Sequence, residues 1–368
     1  MARVPQGKRT SRESNVMMWD GLGLFSAGPT RRLADAGGGG GGASLSDEPP
    51  RPGPRPRRPK LGLALGGGAA RGWSHIGVIE ALEEAGFGID VVAGCSIGAA
   101  VGACYAGGKL AALKEFALSL TKRRVMGLLD FHLSGSGLIA GERLRQLLER
   151  DLGGQCIEAL PVTFATVATE LGSGHEIWLT RGGVVEAVRA SYALPGIFDP
   201  VKVGGRWLMD GALVNPVPVT VARALGADVV LCVNLNGDIR IRGTVIQAHG
   251  GDASVVEAAA NEAVETLTEA PRRWPRLRAQ RAPKPRLDPG MPGGIASVMV
   301  DAFNITQDRI SRSRLAGDPP DVMINPKLAQ MGLFEFHRAE ECIELGRQAA
   351  RKMLPEIREV VAAAALPG

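Results

Sequence analysis

The sequence predicts an α/β fold built on a mostly parallel sheet, and three observations carry that prediction. Two apolar strand-like runs, Lys60 to Leu65 and Ile89 to Ala93, each lead through a short glycine-bearing turn into a helical pattern. Successive strand–helix units with short connections are the signature of parallel strands joined by right-handed crossovers. The second turn, Gly94-Cys95-Ser96-Ile97-Gly98, sets a serine between two glycines where strand becomes helix. The 368 residues are 45% hydrophobic but only 4% aromatic, which suits one large domain with an aliphatic, alanine-rich core and a tail.

Residues 1–59 read as a disordered basic tail. They hold six consecutive glycines, Gly37 to Gly42, and a Pro/Arg run from Pro49 to Pro56, too little apolar surface to offset the entropy of ordering. Residues 1–60 carry 11 Lys and Arg against 5 Asp and Glu, so a net charge of +5 leaves the remainder near −1. The basicity belongs to the tail, which argues against nucleic acid as the partner of the globular part.

The domain is expected over 60–365. Lys60 to Leu65 is a buried first strand and Gly66 to Gly72 a glycine-rich turn. Ile76, Val78, Ile79, Leu82 and Ala85 line one face of a helix over 73–86, which Gly86 stops. The second strand ends at Ala93, and helices follow near 97–106, 109–121 and 141–150. Pro161 to Ala168 and Glu176 to Thr180 read as strands, neighbours through the turn at Gly172-Ser173-Gly174. A helix over 184–193 ends at Leu194-Pro195-Gly196. Arg206 to Met209 leads into Asp210-Gly211-Ala212, and a helix over 216–225 precedes a strand from Asp228 to Asn234. Helices near 252–268, 294–314 and 338–363, with a short strand from Val322 to Ile324, complete the chain. Pro271 to Arg286, inside a basic Pro-rich loop at about 270–290, carries seven basic residues, Trp274 and four prolines without an acid. It reads as a solvated loop or as a patch for anionic lipid headgroups, alternatives that binding to anionic against neutral vesicles would separate. Leu128 to Gly137 is a candidate lid.

The chemistry concentrates in three motifs. Ser96 at the turn has the context of a nucleophile elbow, with Gly94 and Gly98 removing side chains that would collide across it. Gly66-Gly67-Gly68-Ala69-Ala70-Arg71-Gly72 can converge backbone N–H groups on developing negative charge. Arg71 could add positive charge there or serve as a structural ion-pair partner. Asp210, after the apolar Trp207-Leu208-Met209, would stand at a strand end, where partial burial raises a carboxylate's basicity. Read alone, Asp210-Gly211 is equally a turn.

Other candidates fit less well. His75, His132, His175, His249 and His337 lack the late-loop context of a triad histidine. Cys95 precedes the elbow position. The five cysteines, in apolar surroundings and without a C-x-x-C pair, suggest reduced, mostly buried thiols in the cytoplasm. No run approaches the length of a membrane span, and no spacing suggests a metal site. A dinucleotide-binding oxidoreductase would match Gly66-x-Gly68-x-x-x-Gly72, but the ribose-binding acid expected at the end of the second strand is replaced by Gly94-Cys95-Ser96.

Together, G-G-G-A-A-R-G at 66–72, G-C-S-I-G at 94–98 and D-G-A at 210–212 resemble the patatin-like phospholipase family, in the bacterial branch related to the neuropathy target esterase catalytic domain. The segment Ser191 to Phe198, and Arg312 to Ala316 with Pro319 to Val322, resemble further parts of that branch. The resemblance spans roughly 60–350. It implies a three-layer α/β/α patatin-like fold and a serine acyl hydrolase of lipid esters. Its dyad would be Ser96 as nucleophile and Asp210 as general base, with Gly66, Gly67, Gly68 and Arg71 in the oxyanion role and no cofactor or metal. Gly94, Gly98, Gly211 and Ala212 complete the motifs, and Ala212 replaces a glycine common in the family. The implied partner is a lipid ester substrate, met in the cytoplasm or at the inner face of the membrane. A patatin-fold protein that binds lipid without catalysis is the alternative. Oligomeric state is not legible.

Overall fold

Side chains of successive strand residues point to opposite faces, and here both faces are apolar, as a sheet covered on both sides requires. The computed structural model describes residues 57–122, 139–237 and 295–365. Its strands are β1 (Leu61–Leu65), β2 (Val91–Cys95), β3 (Thr163–Glu170), β4 (Glu176–Leu179), β5 (Val201–Val203), β6 (Arg206–Asp210), β7 (Val229–Val233) and β8 (Val322–Ile324). Its helices are α1 (Ser74–Glu84), α2 (Ile97–Ala106), α3 (Leu110–Leu118), α4 (Ile139–Leu152), α5 (Val184–Ser191), α6 (Val219–Ala224), α7 (Ile295–Gly317) and α8 (Ala339–Ala364).

One face of the sheet carries Leu61, Leu63, Leu65, Val92, Phe164 and Leu231 against α1, α2, α3 and α8. The other presents smaller groups, Ala64, Ala93, Ala165 and Val230, to α6 and to Leu315 of α7. The result is three layers, α/β/α, with a mostly parallel sheet: β1 lies between β2 and β7, β7 beside β8, and β3 beside β2, all parallel.

The remaining pairings place the site. β4, β6 and β2 all pair with β3, β4 and β6 being antiparallel to it. β4 shares Thr166 and Val167 with β2, and Ala168 and Thr169 with β6. A strand has two edges, so β2 and β6 occupy the same edge of β3, end to end. Cys95 at the end of β2 faces Val167, and Asp210 at the end of β6 faces the next residue, Ala168. The residue after β2 therefore meets the last residue of β6.

Several details differ from the sequence expectations. β2 runs two residues further than Ala93, straight into the turn. β5 was not anticipated; it pairs with β6 across Gly204-Gly205. Arg57 and Arg58, assigned to the tail, ion-pair with Asp228 and Asp90 at the end of the sheet remote from Ser96. Cys156 is exposed, whereas Cys95, Cys104, Cys232 and Cys342 are buried free thiols. Among the described residues no helix is long and apolar enough to cross a membrane. The candidate lid, the expected helix over 252–268, the basic loop at 270–290 and residues 1–56 lie outside the described residues.

Candidate active site

Ser96 stands between β2 and α2 with φ 55° and ψ −121°. Positive φ costs a non-glycine residue roughly 1–3 kcal/mol and persists only where neighbours enforce it. The neighbours are identifiable. The Ser96 N–H donates to Ser191 Oγ at 2.9 Å, and that hydroxyl donates onward to the Val167 carbonyl at 2.6 Å. Thr166 Oγ1 donates to the Gly94 carbonyl at 3.0 Å. A Cβ on Gly94 would stand 2.5 Å from the Gly98 carbonyl oxygen, and one on Gly98 would strike the Leu65 carbonyl at the end of β1. The turn is therefore clamped from β3, α5 and β1 together.

Its hydroxyl donates to Asp210 Oδ2 at 2.7 Å. Asp210 is 1% exposed. Its backbone is fixed by its N–H to the Ala193 carbonyl at 2.9 Å and by Thr169 Oγ1 to its carbonyl at 2.8 Å. Oδ1 accepts the Ala212 N–H at 2.8 Å, and Gly211 lies directly on the Val167 carbonyl. Burial pushes the Asp210 carboxyl up to about 7, against the Ala212 and Ser96 hydrogen bonds that pull it down. A carboxylate of that basicity beside a serine hydroxyl is suited to accept its proton near neutral pH.

The glycine loop is more selective than its sequence suggests. Gly66 N–H donates to the Val233 carbonyl at 3.1 Å and Gly67 N–H to the Pro216 carbonyl at 2.9 Å, which anchors the loop but commits both donors. Expecting all three glycines to donate to an oxyanion is thus corrected. Gly68 and Ala69 keep N–H groups with no acceptor among the described residues, and Ala69 has φ 48°. Ala69 and Ser96 are the two non-glycine residues of positive φ among those described, and the loop meets the elbow at Gly67, where a Cβ would stand 3.4 Å from Ser96 Cβ. The first N–H groups of α2 add the positive end of a helix there.

Arg71 points elsewhere. Its Nε donates to the Met331 carbonyl at 3.0 Å and Nη1 approaches Asn236 Oδ1 at 3.5 Å, while its backbone N–H closes onto the Gly68 carbonyl. It forms no ion pair among the described residues, so its role is to brace the loop against the 331–333 segment.

His75, fully buried in the first turn of α1, lies with Nε2 2.8 Å from the Gly66 carbonyl. A carbonyl can only accept, so Nε2 carries the proton and the ring pins the loop. Burial pulls its pKa down to about 4, which keeps it neutral. His175 is exposed and His337 lies in the turn before α8; neither bonds to Ser96 or Asp210. His132 and His249 lie outside the described residues. Cys95 is 0% exposed, and burial with the Asp210 and Glu176 carboxylates nearby pushes its thiol well up, away from thiolate chemistry. Asp90, just before β2, accepts from Arg58 and from the Leu61 N–H at the end of the sheet remote from the glycine loop.

The sequence shows Ser191 only as the start of a resembling segment and His75 only as a histidine without triad context, so neither clamp is evident from it. The available signal was local: a serine closing an apolar helix, and a histidine one turn past a glycine loop.

A family model described as patatin-like phospholipase matches residues 63–223. An uncharacterized NTE family protein of Mycobacterium tuberculosis is 34% identical over 332 residues, covering 80% of this chain and 91% of that protein. Lysophospholipase NTE1 of Pyricularia oryzae is 28% identical over 315 residues, 81% of this chain and 19% of that protein. Patatin-like phospholipase domain-containing protein 6 of Mus musculus is 35% identical over 182 residues, 48% of this chain and 13% of that protein.

Proposed function

This chain belongs to the patatin-like phospholipase family, and from that premise we propose that it is a serine acyl hydrolase cleaving carboxyl esters of lipids, phospholipid or lysophospholipid, through Ser96 and Asp210. The observation that carries the reading is the 2.7 Å hydrogen bond from Ser96 Oγ to a buried Asp210, made from a backbone held at positive φ.

In the first half-reaction Ser96 Oγ attacks the ester carbonyl carbon as its proton passes to Asp210. The C=O electron pair moves onto oxygen, where the Gly68 and Ala69 N–H groups and the α2 N-terminus stabilise it. Collapse breaks the C–O bond to the alcohol, which leaves with the proton from Asp210. In the second, a water gives its proton to Asp210 as its oxygen attacks the acyl carbon. The Oγ–C bond breaks, the proton returns to Ser96, and the fatty acid is released. Asp210 serves as base and acid in turn.

The test is labelling with a fluorescent alkyl phosphonate. Wild type is expected to label, Ser96→Ala to be silent, and Asp210→Asn to be slowed by about 100-fold or more, the usual scale of general-base catalysis. A folded wild type that does not label overturns the hydrolase reading and favours a lipid-binding role.

A further inference from the structure

α7 crosses the site from the far end of the chain, beyond the matched family segment. Near its start Met299 Cε reaches Gly196; near its end Arg314 pairs with Glu176 at 2.7 Å. Gln307 lies between them. It is 4% exposed, yet its carboxamide makes no hydrogen bond to any described residue. A Cβ built on Gly67 would stand 3.4 Å from Ser96 Cβ, 3.4 Å from Ala212 Cβ and 3.7 Å from Gln307 Oε1. Gln307 therefore faces the same space beside Gly67 as the nucleophile and the residue whose N–H holds Asp210. Its polar atoms are still reached by solvent, so a carboxamide held beside a reacting centre without a described protein partner is free to bond an oxygen of a bound ligand or a water there.

The side of the nucleophile matters. The free N–H groups of Gly68 and Ala69 lie further along the loop, whereas Ala212 marks the Asp210 side. The departing alcohol must receive the Asp210 proton, and the attacking water must surrender one to it. By microscopic reversibility both oxygens occupy one place, on that side. A carboxamide offers a donor and an acceptor, which suits an alkoxide-like oxygen in one step and a water in the next.

We propose that Gln307 is a catalytic residue that hydrogen-bonds the leaving alcohol oxygen during acylation and orients the hydrolytic water during deacylation. The proposal rests on the Ser96–Asp210 reading above. It gives the last third of the chain a direct part in the chemistry.

The experiment compares wild type with Gln307→Leu and Gln307→Met, near-isosteric side chains without hydrogen-bonding groups. Phosphonate labelling reports Ser96 activation, and a p-nitrophenyl alkanoate separates the burst from steady-state turnover. Nitrophenolate leaves without assistance, so the burst should persist at near-stoichiometric amplitude. Labelling should stay within a few-fold of wild type, while deacylation falls by about 10- to 100-fold, the loss of one hydrogen bond at a transition state. A merely structural role would lower labelling, burst and turnover together, and that outcome overturns the proposal. Unchanged deacylation overturns it too, while leaving the dyad intact. Absence of wild-type labelling at Ser96 removes the dyad reading and this proposal with it.

Discussion

Asp210 shows how one residue's environment sets both chemistry and stability. Burial holds its folded pKa at about 7, above the ordinary value of 3.8. The native state thus binds this proton more tightly than the unfolded chain, and stability contributed at this site falls as pH rises from about 4 through about 7. Above that range the buried charge costs up to about 4 kcal/mol. Asp210→Asn removes the titration, so its stability relative to wild type should rise between pH 5 and pH 8 in urea unfolding. A flat difference would mean that Asp210 does not titrate in this window. The nucleophile poses a separate demand at the same scale: Ser191 and Thr166 hold its strained turn by two hydrogen bonds from neighbouring elements.

At the scale of elements, the glycine loop is positioned by how closely α8 approaches α1. A Cβ on Gly346 of α8 would strike the Ser74 carbonyl, and one on Gly77 of α1 would strike the Ile343 carbonyl. Glu80 with Arg347 and Glu84 with Arg351 flank this crossing. In a solvent-facing helix, Gly→Ala gains up to about 1 kcal/mol from propensity. Here overpacking should reverse the sign, so Gly346→Ala is expected to destabilise by about 1–3 kcal/mol in urea unfolding. Stabilisation by that variant would contradict the close crossing. The same first turn of α1 carries His75, whose ring holds the Gly66 carbonyl, so the crossing bears on the loop as well as on the core.

At the scale of the molecule, the matched segment 63–223 leaves out elements that pair with and cover its own first strand. It omits β7, whose register with β1 runs from Leu61↔Val229 to Leu65↔Val233, and the α8 layer over β1's apolar face. It also omits the Val233 carbonyl that anchors Gly66. A fragment of residues 57–223 should show no cooperative thermal transition by circular dichroism, whereas the full chain should melt cooperatively. Cooperative melting of the fragment would show that the matched segment folds alone.

Much of this architecture was legible residue by residue. Apolar runs and glycine punctuation placed β1, α1, β2 and α2 to within a few residues, because burial on both faces and sharp turns leave local traces. Three ordered motifs marked Ser96 and Asp210 for the same reason. The sequence did not disclose which loop N–H groups remain free, since that depends on the distant Val233 and Pro216 carbonyls. Nor did it disclose β5, Ser191 as the clamp on the turn, or Gln307 beside the nucleophile. What the sequence determined by itself was the local chemistry each motif can offer. What only the tertiary structure decided was their meeting: β2 and β6 abut on one edge of β3, which brings residues 96 and 210 into hydrogen-bond contact, a consequence of strand register that no local pattern encodes.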